Sequence, residues 1–366
     1  MTLTTAPAPE NIPLRPSSGL TNGRLPGWAP WGILAIAAVV SGILFLFVAV
    51  GAGAEFNVAG WAIVTAVLYL VLITVLSSVV EGSRKAVDRL VTGVVSAAFL
   101  LAMVPLVSVA WTVISNGVAG LSAEFFSSSM RNVVGEGGGA LHAIMGTILI
   151  TLAAAVISIP IGLFTAIYLI EYGSGRRLAR GITFFVDVMT GIPSIVAGLF
   201  AYALFALFFG PGIRSGIMGA IALSVLMIPV VVRSTEEMLR LVPNELREAS
   251  YALGVPKWLT IVKVVLPTSI AGIVTGIMLS ISRVIGETAP LLVTAGFTAS
   301  MNYNLFDGRM MTLPVFVYTQ YMNQGIPQHA YVDRAWAAAL VLILFVMLLN
   351  LVGRLIAKVF APKMGR

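Results

Sequence analysis

Cysteine is absent from all 366 residues, which excludes disulfides, thiolate metal sites and a cysteine nucleophile. Histidine is nearly absent: His142 and His329 are the only two, too few for a histidine-rich metal site. No Gly-x4-Gly-Lys-Ser/Thr run occurs, so the chain has no P-loop to cradle nucleotide phosphates. Charge is scarce, at 10% of residues against 58% hydrophobic, where a soluble domain carries about 25% charged residues. A chain of this length cannot hide so much apolar surface from water, and its solvent is a bilayer. The formal charge of +7 would suit nucleic acid only as a basic patch on one folded face. Here the basic residues are scattered through short loops, and no nucleic-acid partner is expected. Asp88, Asp187, Asp307 and Asp333 are isolated, which argues against a membrane enzyme acting on lipid phosphates through clustered acids. No catalytic residue and no metal ligand is expected.

What is present is a series of long apolar runs. Residues 1–27 hold five prolines among small polar residues and read as a disordered cytoplasmic tail. The run "WGILAIAAVVSGILFLFVAV" (31–50) has the roughly 20 residues needed to cross a core of about 30 Å. It exceeds a signal-peptide core of about 7–15 residues and reads as an uncleaved anchor, although Ala52-Gly53-Ala54 has the small-residue look of a cleavage site. Further spans are predicted near 61–80, 90–114, 141–170, 182–209, 217–232, 268–289 and 335–357, eight in all. Segment 286–300 is either a separate short piece or a re-entrant tail of the seventh span. With the N-terminus inside, the inner segments hold 17 of the 22 Lys and Arg residues, the asymmetry of a cell-membrane protein with both termini cytoplasmic. The fold expected is all-α: a polytopic transmembrane bundle, with a hairpin at 28–82, a main domain at 83–366 and a cytoplasmic loop at 233–267.

That loop, "RSTEEMLRLVPNELREASYALGVPKWLTIVKVVLP", is too charged to span and too patterned to be slack. Asn244 is placed to cap a helix, and Leu246, Ala249, Ser250 and Leu253 recur on one face. Gly254 stands where a helix ends left-handed, before Pro256. A second helical piece runs to Pro267. The result is a helix–glycine–helix elbow, either an interfacial loop or a docking surface for a cytosolic partner.

"EASYALGVPKWLTIVKVVLP" (248–267) resembles the EAA loop of ABC importer permeases, with Glu248, Ala249, Leu253, Gly254 and Pro267 on the motif and Ser250 in place of an alanine. "SRVIGETAPLL" (282–292) and "GIPSIVAGLF" (191–200) together resemble the phosphate importer permeases of PstA type, over roughly residues 85–360. The resemblance implies a type I permease core of six spans, to which this chain adds the 28–82 hairpin. It also implies coupling of the elbow to two ATPase subunits, which would use ATP and magnesium while this chain binds no cofactor. A related permease would complete a heterodimer, and an extracytoplasmic phosphate-binding protein would supply inorganic phosphate. Permeases for molybdate or sulfate, and a passive anion channel, are the rival readings.

Arg283 and Glu287 stand inside the apolar stretch 273–297. A charged side chain there costs about 2.5–3.5 kcal/mol, so it needs a reason. Three are open: an ion pair with Glu287 one turn on, snorkelling, or a place in a water-filled anion pathway. Arginine keeps its charge and presents a planar fork that grips two phosphate oxygens. The pathway is expected at Arg283, with Glu287, Thr288 and Ser194 shaping it. Gly286 and Pro290 are expected to bend one segment, and Gly191 and Pro193 to form an inner gate, with Asp187 pairing one of Arg176, Arg177 or Arg180.

Overall fold

The computed structural model describes residues 23–173 and 175–360, and every regular element among them is helical. Residues 1–22 of the expected tail lie outside the described residues. Two compact units divide the chain, Met1–Val109 and Ala110–Arg366; the expected boundary at 82 falls inside the first.

In the first unit, α1 (Ala29–Ala52) and α2 (Val58–Val80) form the hairpin. Gly53 closes α1 with a left-handed φ of 61° and returns its N–H to the Ala49 carbonyl. Asn57 opens α2 by accepting the Gly60 N–H at 2.8 Å. The two helices are stitched in their interior by polar contacts that replace water. Ser41 Oγ and Thr65 Oγ1 are 2.6 Å apart, and the Trp61 indole donates to the Ala38 carbonyl at 3.0 Å. At the foot of the hairpin Arg89, from α3 (Ser83–Gly117), grips Glu81 at 2.7 and 3.1 Å. Large apolar side chains such as Phe47, Val50 and Phe99 face outward, as hydrocarbon permits and water does not.

After the short α4 (Ala123–Ser127), the second unit is built on α5 (Leu141–Ile167) against α8 (Gly216–Arg240). Small residues let these helices approach: a Cβ on Gly162 would stand 2.6 Å from Val231, and Ser224 donates to the Ala154 carbonyl at 3.4 Å. α11 (Leu266–Val284) crosses α8 where Gly272 meets Met238 and Gly276 meets Ser234. α13 (Leu313–Met322) and α14 (Gln328–Phe360) close the bundle, with the Leu313 N–H donated to Thr147 Oγ1 at 2.7 Å. His142 is buried, edge-on to Phe316 at 5.5 Å.

Among the described residues seven helices are long and apolar enough to cross a bilayer, and one broken pair, counted as a single span, brings the total to eight. That pair corrects the expected kinked but single helix at 182–209. It is two helices, α6 (Arg177–Thr190) and α7 (Ser194–Phe209), bent by 110°. Pro193 lacks the N–H needed to continue α6 and pushes Ile192 away from helical angles. α6 turns Leu178, Phe184 and Phe185 outward and also carries Arg177 and Arg180, the composition of an interfacial helix. The seventh span differs too. Its helix begins at Lys257, passes a widened turn at Ile261–Val265, and runs on through Pro267 to Val284. The extra turn residue accommodates the missing Pro267 donor without a break. α12 (Ala289–Thr294) is six residues long, too short to cross, so 286–300 adds no span.

Candidate functional site

The elbow is ordered by three bonds that the local sequence dictates. Gly254, at φ 75°, ends α9 (Asn244–Ala252) and allows the Val255 N–H to reach the Ser250 carbonyl at 3.2 Å. Ser250 Oγ and Thr260 Oγ1 lie 2.8 Å apart, joining α9 to α10 (Lys257–Thr260). Asn244 is the first helical residue, not the cap; Pro243 holds the cap position, and the Asn244 amide oxygen instead accepts from Arg247 at 3.3 Å. The expected apolar stripe splits: Ser250 is buried, whereas Leu246, Ala249 and Leu253 are exposed, Leu253 by 83%. Glu248 is exposed beside them. The elbow therefore presents an apolar face that its own chain does not cover.

A strut holds it from behind. Glu171, in the widened turn Tyr168–Tyr172 that ends α5, is buried and accepts from Arg247 at 2.9 and 3.1 Å. Arg247 also donates to the carbonyls of Val242 at 2.6 Å and Leu239 at 2.9 Å. Lys257 donates to the Glu171 carbonyl and lies 4.9 Å over the Tyr172 ring. Neither Glu171 nor Lys257 is among the expected site residues. The available signal is an acid at the first polar position after an apolar span.

The two apolar stretches singled out in the sequence meet. α12 packs on α7 and α8, and a Cβ on Gly198 would stand 2.6 Å from Pro290 Cα. Pro290 occupies the first turn of α12, where its missing donor costs nothing, and Thr294 donates to its carbonyl at 2.7 Å. Gly191 and Gly286 lie in the breaks between α6 and α7 and between α11 and α12; neither has a left-handed φ, and a Cβ would meet the Val188 carbonyl at 3.6 Å on Gly191 and nothing within 4 Å on Gly286. Ser194 is the first residue of α7 and half-buried.

Arg283 is exposed in the last turn of α11, where a cation complements the helix dipole. α11 stops at Val284, so Glu287 lies in the following turn, its N–H bonded to the Val284 carbonyl at 3.1 Å. The helical i, i+4 geometry is lost, and Arg283 makes no ion pair among the described residues. Glu287 and Thr288 are half-buried. Beyond α12 two more arginines flank Gly296: Arg214 donates to the Leu292 carbonyl at 3.4 Å, and Arg309 stacks on Phe297 at 5.6 Å. Asp187 does not pair with the arginines of α6. It binds Arg233 of α8, which also holds the buried Glu236 at 2.7 Å, because the 110° bend carries α6 across α8.

These features find close counterparts. The family described as binding-protein-dependent transport system inner membrane component matches residues 158–366, more than half of the chain. The phosphate transport system permease protein PstA 1 of Mycobacterium tuberculosis is 48% identical over 276 residues, covering 75% of this chain and 89% of that protein. The corresponding protein of Mycobacterium leprae is 46% identical over 74% and 88%, and that of Pasteurella multocida 40% identical over 70% and 88%. This chain belongs to that family, among the PstA permeases. A permease of this family is the non-catalytic, multi-pass membrane component of its transport system. The fold agrees with a solved methionine ABC transporter, MetNI, in an inward-facing conformation, at 20% identity and a TM-score of 0.51 over 61% of this chain and 96% of that one. The family match begins within α5 and takes in the elbow, α7, α11 and α12.

Proposed function

We propose that this permease forms half of the path of an ATP-driven importer of inorganic phosphate, with a related permease as the other half. The pair of permeases sits on two ATPase subunits, one of which docks on the exposed face of α9, and an extracytoplasmic phosphate-binding protein delivers the anion. Both termini lie in the cytoplasm, as the distribution of Lys and Arg supports. The observation that carries the anion chemistry is Arg283, a cation without a carboxylate partner among the described residues at the end of a transmembrane helix.

Phosphate enters hydrocarbon only if donors replace its hydration shell. The Arg283 fork offers two parallel N–H donors to two oxygens, with the Thr288 and Ser194 hydroxyls available beside the path. A single fork binds without trapping, which conduction requires. Glu287, beyond the end of α11 and outside ion-pair distance of Arg283, repels the anion and biases it onward. ATP, with magnesium, is bound and spent in the partner subunits, and this chain receives the motion through its elbow.

Reconstituted complex supplied with ATP and binding protein tests this. A charge-assisted hydrogen bond contributes about 1.5–3 kcal/mol, so Arg283→Gln is expected to lower uptake at limiting phosphate by roughly 10- to 150-fold with assembly unchanged. Intact uptake in a normally assembled Arg283→Gln complex refutes the assignment. Competition by molybdate or sulfate as strong as that by phosphate moves the substrate to another oxyanion, and conduction without ATPase would make the protein a channel.

A further inference from the structure

The hairpin that precedes the permease core has no part in the reading above, yet it forms one side of a large open cleft. About 810 Å³ lies between the α1–α2 hairpin and the first half of α3. The walls are mostly apolar, with Leu34 from α1, Leu70 and Ile73 from α2 and Ala97 and Leu100 from α3, interrupted by Tyr69, Thr92 and Ser96. α2 and α3 touch where Gly93 faces Leu70, a Cβ there standing 2.5 Å from the leucine, and they diverge elsewhere. Leu100 is 17 residues past the start of α3, about 25 Å along it, so the cleft reaches past half of a core about 30 Å thick. A void of that size open to a bilayer fills with acyl chain, because neither water nor vacuum competes there.

One end of the cleft is charged. Glu81 and Arg89 neutralise each other there. Arg24, Lys85 and Asp88 also line it, all exposed and none in an ion pair among the described residues. Two free cations against one free carboxylate leave a net single positive charge at the level of lipid headgroups. The complementary occupant is an amphiphile with an apolar chain and a head carrying one net negative charge. Partner helices match the walls and free phosphate matches the rim, but only a phospholipid matches both.

We propose that the cleft is a binding site for one anionic phospholipid of the phosphatidylglycerol class, its acyl chain along Leu34, Leu70 and Leu100 and its phosphodiester between Arg24 and Lys85. The site stands independently of what the permease transports. It gives the hairpin a role: the lipid fills the gap between the hairpin and α3 and makes that part of the protein sensitive to the anionic lipid content of the inner leaflet.

The full chain, purified with the subunits it assembles with and stripped of lipid, is titrated with phosphatidylglycerol or phosphatidylcholine and read by native mass spectrometry. One tightly retained phosphatidylglycerol per chain is expected, favoured over phosphatidylcholine by about tenfold and undisturbed by millimolar inorganic phosphate. The double variant Arg24→Glu/Lys85→Glu should lower retention about tenfold or more. Ala97→Trp, which fills the cleft and leaves every charge in place, should remove the retained lipid while the complex elutes normally on size exclusion. The proposal is overturned by equal retention of the two lipids, by retention unchanged in both variants, or by displacement with inorganic phosphate. Cross-linking of a cysteine placed at 97 to any protein segment other than α1 and α2 in the native membrane also overturns it.

Discussion

Glu171→Gln is the most informative single change outside the anion path. It keeps the shape of a side chain that is 4% exposed and removes the charge opposite Arg247, itself 12% exposed. Breaking a buried ion pair from one side costs about 3–5 kcal/mol. Arg247 keeps its carbonyl acceptors at Val242 and Leu239, and the glutamine oxygen still accepts one bond. The net cost expected is therefore about 2–3 kcal/mol, below the full range. Because the strut ties the elbow only to the ends of α5 and α8, that cost should appear as local opening of α9 while the bundle stays closed. Amide exchange over residues 247–252 should accelerate roughly 30- to 150-fold, with α5 and α8 unchanged. In reconstituted complex, ATP hydrolysis should continue while phosphate moved per ATP falls, since a loosened elbow absorbs the motion it ought to transmit. Exchange within about twofold of wild type, together with unchanged uptake per ATP, refutes the strut.

Two further outcomes follow from exposed and buried positions. Leu253→Asp places a charge at the C-terminal end of the uncovered α9 face, where truncating an interface hot spot costs about 2 kcal/mol or more. Co-purification of the ATPase should fall roughly 30-fold, and undiminished co-purification moves the docking face elsewhere. At the foot of the hairpin, hydrogen bonds from Arg89, aided by the Leu25 N–H and the Ser77 hydroxyl and opposed by burial, bring the Glu81 carboxyl from 4.5 down to about 2. A carboxyl lowered by folding stabilises fully above its unfolded value of 4.5 and loses that contribution as pH falls towards about 2. Protection of residues 77–89 against exchange should therefore weaken on acidification through that window in wild type and stay flat in Glu81→Gln; identical pH profiles contradict the linkage.

The spans and the elbow are legible in the sequence because their causes are local. Twenty consecutive apolar residues specify a crossing, and Gly254 before Pro256 specifies a helix end wherever the segment lies. Pro193 is equally visible, but one proline in an apolar run reads as a kink in a straight span. The amphipathic pattern of Arg177–Thr190, which gives α6 away, is hidden when the run is started at residue 182. The partners of Asp187 and Glu171 are hidden for a different reason. Arg233 is 46 positions from Asp187 and Arg247 is 76 from Glu171, and such pairs are set by how helices cross. The same holds for Gly198 and Pro290, which belong to two separate motifs until α12 folds back on α7.

The separation of Arg283 from Glu287 alters how the path must work. On a continuous helix the two would neutralise each other, and phosphate would have to compete with a carboxylate already in place. Ending α11 at Val284 removes that competitor and leaves the arginine free at the tip of a helix that begins at Lys257 in the elbow. From Lys257 to Val284 is 28 residues, about 42 Å of helix, so the elbow and the arginine are opposite ends of one element. Under the proposed mechanism, a displacement of α9 by an ATPase would be carried along this rod, with the widened turn at Ile261–Val265 as its compliant point, and would move Arg283 relative to α12, which packs on α7 and α8. On that proposal the break after Arg283 serves twice, leaving the cation without a carboxylate partner and letting it move against its neighbour. An importer needs both at one residue.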